Sequence, residues 1–173
     1  KGTGIAMKLK MGHKFLIMSF FIIFVSIAIV MGMGLVKLER NSEHLAYNSL
    51  EHRVLMMEYT LQQKGEISLR DGKLTAGNFL IDGSEELVDR IKEIFGGTAT
   101  IFNGDIRVST NVKKDDGSRA VGTKLTGPAY DAVFKENRTY SGEVPILGED
   151  YYSFYRPLHD AVGSTVGVLY AGV

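Results

Sequence analysis

The hydrophobic and polar positions divide the chain into one long apolar stretch near its start and a mixed, patterned body behind it. From Phe15 to Val36 no residue is charged, and the only hydroxyl side chains are those of Ser19 and Ser26. A helix rises about 1.5 Å per residue, so this stretch is long enough to cross the roughly 30 Å hydrocarbon core of a bilayer. A helix also satisfies its own backbone hydrogen bonds there. The pattern therefore predicts a transmembrane helix over residues 15–36.

Charge gives the expected orientation of that helix. The preceding tail, residues 1–14, contains four lysines and no acidic residue, whereas all 20 Asp and Glu residues lie in the body. The positive-inside rule places such a tail in the cytoplasm and the body outside the cytoplasmic membrane. A cleaved signal peptide is the competing interpretation, but its apolar core usually covers only about 7–15 residues and is followed by a small-residue cleavage site. We therefore favour a retained anchor, with the natural start of the protein expected at Met7.

Residues 37–64 are predicted to form a long membrane-proximal helix, because no Pro or Gly interrupts Leu38 to Gln63. One apolar stripe recurs every three or four positions along it: Tyr47, Leu50, Val54, Met57 and Leu61. This spacing places the stripe on a single helix face, which we expect to pack against the domain's own sheet.

A second apolar set lies mostly towards the other side of the same helix. It consists of Leu38, Leu45, Met56 and Tyr59, with His52 among them. Single apolar residues on a surface are common, so this set could simply be half-exposed. We favour the alternative that it forms the contact of a parallel homodimer, with His52 as a packing residue.

The rest of the body predicts an α+β fold with a mainly antiparallel sheet, since short turns join most of its strands. The predicted strands are Lys73–Ile81, Thr98–Phe102, Ile106–Thr110, Thr139–Leu147, Tyr151–Leu158 and Thr165–Val173. A helix capped by Ser84 is expected to end at Gly96 and Gly97, and a second, short helix is expected to begin at a Thr126 cap.

Composition and motifs disfavour several classes of function. The chain has no cysteine and only four scattered histidines, so thiolate metal sites, thiol nucleophiles and paired-histidine metal motifs are excluded. The net formal charge is zero, which gives no electrostatic reason to expect a nucleic-acid partner. No catalytic constellation is found, and we do not expect an enzyme.

Arg107 is the first candidate for a ligand contact. It lies between Ile106 and Val108 in a predicted strand, where a cation must be paired or solvated. Its planar guanidinium suits a carboxylate. The alternative is an arginine on an open face, paired with nothing or with the nearby Asp105.

The strand Tyr151–Tyr155 supplies a second set of candidates. A period of two puts Tyr151, Ser153 and Tyr155 on one face, and three hydroxyls on a largely apolar strand suit a small polar ligand. Tyrosine hydroxyls that bond to backbone carbonyls in an ordinary core are the equally simple alternative.

A series of motifs between Lys73 and Val173 resembles the single Cache domain of methyl-accepting chemotaxis receptors, of the type called single Cache 3 or a Cache fusion. In order they are TIF-x-GD-x-R-x-x-TN-V, DG-x-RA-x-GT, YxGE, LGE-x-Y-x-x-x-Y-x-P and G-x-x-x-G-x-LY-x-GV. The resemblance implies a PAS-like sensor domain over residues 65–173. It would have a central antiparallel sheet of about five strands with flanking helices, the long helix beneath it and a ligand pocket on the other face.

The resemblance also adds Thr110 to the candidate site. Citrate and dicarboxylate sensor kinases with similar domains have an Arg at the position of Arg107 and a His where this chain has Thr110. Strand alternation puts these two residues on opposite faces, so both can serve only if the strand ends or bulges near Ser109. Those kinases also have basic residues near the positions of Ser153 and Tyr155, which this chain lacks. The resemblance therefore implies a small monocarboxylate or another weakly charged ligand.

We expect the chain to be the anchor and extracytoplasmic sensor of a bacterial transmembrane chemoreceptor, passing once through the cytoplasmic membrane. A second membrane helix and a cytoplasmic output domain are expected after Val173. Some similar domains carry c-type haem, which a chain without cysteine cannot attach, and no cofactor is expected. The alternatives are the input domain of a sensor histidine kinase or diguanylate cyclase, and a structural dimerisation module without a ligand.

Overall fold

The computed structural model describes residues 11–173, apart from the side chains of residues 11, 35, 36 and 38–44. Most of the predicted tail and the proposed start at Met7 lie outside the described residues, and so does the side chain of Leu38. The chain divides into two compact units, residues 1–43 and 44–173. Helix α1 (Met11–Lys64) begins in the first unit and ends in the second.

In the first unit, Gly12–Gly34 of α1 is long and apolar enough to cross a membrane, and none of it is buried. Its large side chains are more than half exposed at most positions, including Phe20 and Phe24. This is the stretch for which the sequence predicts a transmembrane helix.

The second unit is an α+β domain with two antiparallel sheets. Its remaining elements are β1 (Ile67–Arg70), β2 (Lys73–Ala76), β3 (Phe79–Leu80), α2 (Glu86–Phe95), β4 (Thr98–Asn103), β5 (Ile106–Thr110), α3 (Pro128–Tyr130) with a π-helical turn (Asp131–Lys135), β6 (Tyr140–Ile146), β7 (Glu149–His159) and β8 (Thr165–Gly172). The large sheet has the order β5-β4-β8-β7-β6 and the small sheet the order β1-β2-β3. The expected α+β fold with a five-stranded antiparallel sheet is confirmed.

The large sheet separates two apolar clusters. On one face, Leu50, Val54, Met57 and Leu61 of α1 are fully buried together with α2, the small sheet and inward residues such as Phe154. The predicted packing of this helix stripe is thus confirmed. The other face carries a second cluster, which includes Phe102, Tyr155 and Tyr170 and residues of α3 and the segments around it.

Three local predictions were wrong. The expected strand Lys73–Ile81 is two strands, because the chain turns at Gly77 with a φ of +59°. A Cβ at Gly77 would meet the carbonyl oxygen of Lys64 at 2.5 Å, so a close approach of two backbones fixes this turn. Ser84 does not cap α2; the cap position is Glu85, which makes no side-chain capping bond. The second short helix begins after Gly127 rather than at a Thr126 cap.

Candidate ligand-binding site

The hairpin of β4 and β5 contains a β-bulge that decides which residues share a face. Thr100 pairs with Thr110 and Ile101 with Ser109, but Phe102 pairs with Arg107, so Val108 is the extra residue. Paired residues of an antiparallel ladder point to the same side. The bulge therefore brings Arg107 and Thr110 to one face, which meets the condition set by the sequence.

Arg107 is buried on that face, with only 7% of its surface exposed. Its Nη1 donates to Thr123 Oγ1 at 3.0 Å, and its guanidinium lies 5.3 Å from the centre of the Phe102 ring. The buried Nε has no hydrogen-bond partner. Burial lowers the pKa of Arg107, and the nearby phenols of Tyr155 and Tyr170 oppose that shift. The empty domain therefore holds a cation whose desolvation is only partly compensated.

The acidic residue nearest to Arg107 in sequence pairs elsewhere. Asp105 Oδ2 lies 3.7 Å from Lys124 Nζ. Among the described residues, no carboxylate forms an ion pair with Arg107. The alternative of a purely structural Asp105–Arg107 pair is therefore not what the structure shows.

Strand β7 has the predicted alternation. Phe154 belongs to the helix-side cluster, and the ring of Tyr152 meets that of Tyr47 edge-on at 5.6 Å. Tyr155 lies in the opposite cluster, 2% exposed, with its ring 4.8 Å from that of Tyr170. Burial raises the pKa of Tyr155, so its phenol stays protonated at physiological pH and can donate a hydrogen bond.

A cavity of about 150 Å³ opens beside Arg107 and Tyr155. One wall is the segment Thr123–Thr126, and the other is Val144–Leu147 at the end of β6. Two of the predicted site residues therefore meet at one cavity.

The other three predicted residues do not line this cavity. Thr110 is fully buried, with its Oγ1 2.6 Å from that of Thr100. Ser153 is also fully buried and donates to the carbonyl oxygen of Tyr151. The Tyr151 hydroxyl donates to Glu149 Oε2 at 3.0 Å. These groups are satisfied inside the protein.

Thr123 and Lys124 line the cavity and were missed from the sequence. Thr123 is the last residue of the motif DG-x-RA-x-GT, so the motif itself was a usable signal. The apolar residues of the β6 wall offered none, because nothing in an apolar strand end distinguishes a cavity wall from ordinary core.

The Thr123 wall is held in place by backbone and ionic contacts. Arg107 N–H donates to the Thr123 carbonyl oxygen at 2.9 Å, and Gly122 N–H donates to the Arg107 carbonyl oxygen at 2.8 Å. Earlier in the same segment, Arg119 forms ion pairs of 2.8 Å with both Glu85 and Asp89 of the α2 region. The hydrogen bonding that Arg119 donates to Asp89 is the main cause that raises the pKa of Arg119. One side of the cavity is thus fixed to β5 and α2.

No group of three or more His, Asp or Glu residues is arranged for a metal ion within residues 11–173. The chemistry available at the cavity is that of one buried guanidinium, one phenol, two threonine hydroxyls and one lysine on an otherwise apolar lining. Such a site can bind and orient an anion.

A known protein family and a solved sensor-domain structure are similar to this chain. The family described as single Cache domain 3 matches residues 79–173. Among solved structures, the chain is similar to the crystal structure of the E. coli DcuS sensor domain, with 10% sequence identity and a TM-score of 0.42. That similarity covers 51% of this chain and 64% of the other, which is less than two thirds of its length. No curated protein matches. Since the family match spans more than half of the sequence and includes all five strands of the large sheet, the chain belongs to the single Cache domain 3 family of sensor domains.

Proposed function

We propose that the chain is the membrane anchor and extracytoplasmic sensor of a bacterial chemoreceptor, and that its sensor domain, residues 65–173, binds a small carboxylate. The observation that carries the ligand class is the guanidinium of Arg107, which is buried beside a cavity and makes no ion pair within the described part of the chain.

A carboxylate would complete the pairing of Arg107. Burying a cation is costly unless an anion or several acceptors compensate for the lost water. Thr123 occupies Nη1, whereas Nε has no partner. A carboxylate matches the fork of a guanidinium and accepts two parallel hydrogen bonds from it. In this proposal Tyr155 contacts the ligand beside Arg107, and Thr110, Tyr151 and Ser153 support the sheet behind them.

The cavity limits the size of the ligand. Its volume of about 150 Å³ accommodates about six non-hydrogen atoms. Monocarboxylates of two to four carbons have four to six non-hydrogen atoms and satisfy this limit, whereas citrate, with thirteen, does not. The apolar side chains of the β6 wall would cover the carbon chain of such an acid, while its carboxylate faces Arg107.

The signal would pass through the large sheet to α1. A ligand that bridges the Thr123–Thr126 and Val144–Leu147 walls is expected to favour a closed arrangement of β5 and β6, the two edge strands. The buried stripe of α1 packs on the opposite face of that sheet. Only the difference between the ligand's affinities for the two arrangements is available to shift the helix.

The membrane arrangement is part of the same proposal. Residues 15–36 cross the cytoplasmic membrane, residues 1–14 remain inside, and residues 37–64 lead to the sensor domain and form a dimer contact. The support is the exposed apolar helix Gly12–Gly34 and the lysines before it. Alkaline phosphatase fused after Val173 should be active in a bacterial host, and an inactive, stable fusion would reverse the orientation.

A ligand screen tests the binding function. Purified chain in detergent is heated with small acids, amines and purines, and the shift of its melting temperature is measured, since a ligand that binds only the folded state raises that temperature. We expect only carboxylates of two to four carbons to stabilise the protein. Stabilisation by amines or purines alone would overturn the carboxylate assignment. A chain that responds to no compound would support the structural dimerisation module.

The same sensor domain can serve a sensor kinase or a diguanylate cyclase. The sequence that follows Val173 in the complete gene distinguishes them, because a chemoreceptor continues into a second apolar helix and a long heptad-patterned helical tail.

A further inference from the structure

We propose that Asp105 determines the charge selectivity of the cavity by pairing with Lys124, so that, of the two cations in the described cavity lining, Arg107 is left to pair with a ligand. This inference rests on the proposed carboxylate site. It concerns three charges at one cavity: Arg107 and Lys124 line it, and Asp105 pairs with Lys124. The cluster favours ligands with one carboxylate over ligands with two.

The first observation is that a second cation lines the cavity. Lys124 belongs to the Thr123–Thr126 wall, together with the hydrogen-bond partner of Arg107. A ligand that reaches Arg107 therefore also passes near an ammonium group. Without further contacts, the two cations would suit a dicarboxylate.

The second observation is that Lys124 already has an anionic partner. Its Nζ lies 3.7 Å from Asp105 Oδ2, with 65% of the Lys124 side chain and 33% of the Asp105 side chain exposed. The backbones on either side are paired as well, because Leu125 N–H donates to the Asp105 carbonyl oxygen at 2.8 Å and Ile106 bridges to Lys124. The acid is thus fixed beside the edge of the cavity that Lys124 lines.

The charges then sum to one positive unit. A monocarboxylate neutralises Arg107 and leaves the Asp105–Lys124 pair intact. A dicarboxylate must bring its second anion towards the same edge, where Asp105 repels it and competes for Lys124. Between unit charges a few ångströms apart that are largely screened by solvent, as these partly exposed groups are, such a term changes affinity by about 5- to 10-fold.

The pair itself contributes little to folding, which makes the inference testable. Its separation is long and both groups are partly exposed, and ion pairs of this kind add about 0–1 kcal/mol to stability. Asp105→Asn is nearly isosteric and keeps the backbone contacts of the turn. A change in binding by this variant can therefore be read as an effect of charge.

The experiment measures dissociation constants by titration calorimetry on the full chain in detergent at pH 7.5. The probes are three pairs matched in carbon number: acetate and oxalate, propionate and malonate, butyrate and succinate. In the unaltered chain we expect the monocarboxylate to bind more tightly in each pair that binds. Asp105→Asn should reduce that preference by about 5- to 10-fold, mainly through tighter binding of the dicarboxylate.

Two further variants separate the role of Asp105 from a general loss of negative charge. Lys124→Gln combined with Asp105→Asn should restore the original preference to within about twofold, because the freed ammonium is gone. Asp115→Asn, which removes an exposed acid from the connection between β5 and α3, away from the cavity lining, should leave the preference unchanged.

The outcomes distinguish this inference from the function on which it rests. If the unaltered chain binds monocarboxylates and Asp105→Asn changes the preference by less than threefold, the selectivity role of Asp105 is wrong and the carboxylate site stands. An equal change in Asp115→Asn also overturns that role. If no acid binds to the unaltered chain or to any variant, the carboxylate site fails and the inference fails with it.

Discussion

Arg156 of β7 donates from its Nε to Glu58 Oε2 of α1 at 2.7 Å, across the face of the sheet that is opposite the cavity. Arg156 directly follows Tyr155, which lines the cavity. Neighbouring residues of one strand therefore contact the proposed ligand site and the long helix. A displacement of β7 at the cavity would reach α1 through a partly buried ion pair.

The Glu58–Arg156 pair is expected to stabilise the packing of helix on sheet by about 1 kcal/mol. A double-mutant cycle with Glu58→Gln and Arg156→Gln, followed by thermal unfolding, should give a coupling energy of that size. The matched control is the more exposed pair Lys64–Glu86, at 3.3 Å, for which the coupling should be near zero. Equal coupling energies in both cycles would show that the partly buried Glu58–Arg156 pair contributes no more to stability than an exposed pair.

Arg107 should matter for ligand binding and not for the stability of the empty domain. A charge-assisted, bidentate contact contributes about 1.5–3 kcal/mol, so Arg107→Ala should weaken binding of the carboxylate by about 10- to 150-fold. Burial lowers the pKa of this arginine because it removes water from the charged guanidinium, and this cost to stability is present in the empty domain. Arg107→Met should therefore leave the melting temperature of the empty chain unchanged or raise it.

The control for Arg107 is Arg90→Ala on the exposed face of α2, which should change neither the affinity for the carboxylate nor the melting temperature of the empty chain. A lower melting temperature of the empty Arg107→Met chain, with unchanged ligand preference, would make Arg107 a structural residue. Arg107→Lys should recover only part of the affinity, since a lysine keeps the charge and loses the fork.

Tyr155 should contribute less than Arg107. Tyr155→Phe removes one neutral hydroxyl and keeps the ring against Tyr170, so binding should weaken by about 2- to 10-fold. Tyr151→Phe is the matched control, because the Tyr151 hydroxyl bonds to Glu149 and does not line the cavity. Calorimetric titration of both variants tests this, and an equal loss in the two would remove Tyr155 from the list of direct contacts.

Periodic features of this domain could be predicted from the sequence because one face of each element is buried. The α1 stripe ending at Leu61 and the alternation around Ser153 follow directly from periods of 3.6 and 2. The hairpin of β4 and β5 can be predicted as well, because Asn103 and Gly104 are typical turn residues between two apolar strands, and Gly104 does have a positive φ.

Features set by distant parts of the chain could not be predicted. The bulge at Val108 depends on how β5 pairs with β4, whereas the alternating residues of β5 by themselves predict a regular strand. The turn at Gly77 results from contact with Lys64, and the β6 wall reaches Arg107 only in the folded domain. Such contacts leave no periodic signal, so Arg107 and Tyr155 could be predicted as candidates from the sequence, but the cavity walls between which they lie could not.

Gly167 of β8 should be intolerant of a side chain. A Cβ there would overlap the carbonyl oxygen of Phe102, which lies in the neighbouring strand. Gly167→Ala should lower the free energy of unfolding by more than about 2 kcal/mol, because overlapping backbone atoms cannot move aside as a side-chain end can. Gly117→Ala is the control: its Cβ meets open space, and its φ of +80° alone should cost about 1 kcal/mol. The free energies of unfolding of the two variants are compared by denaturant unfolding. Equal losses of stability would show that β4 and β8 can move apart to accommodate a side chain at Gly167.

The exposed face of α1 should be the contact between two copies of the chain in the membrane. Leu45 and Tyr59 are 64% and 62% exposed, whereas Leu50 and Met57 on the buried stripe are fully covered by the domain itself. Anchoring two copies in one bilayer raises their effective concentration, so an apolar face too weak to associate in solution can pair there. Single cysteines at Leu45 or Tyr59 should therefore form disulfide-linked dimers faster than cysteines at Leu50 or Met57.

The chain has no cysteine of its own, so each variant reports one position. A disulfide requires Cα atoms within about 7 Å, which random encounters satisfy only briefly. Val162→Cys is the control for exposure alone, because Val162 is apolar, 86% exposed and lies in the β7–β8 turn. Crosslinking in membranes should be several times faster at Leu45 than at Val162. Equal crosslinking rates at these two positions would mean that two copies of the chain meet only by random encounters, and the dimer assigned to residues 37–64 would have no support.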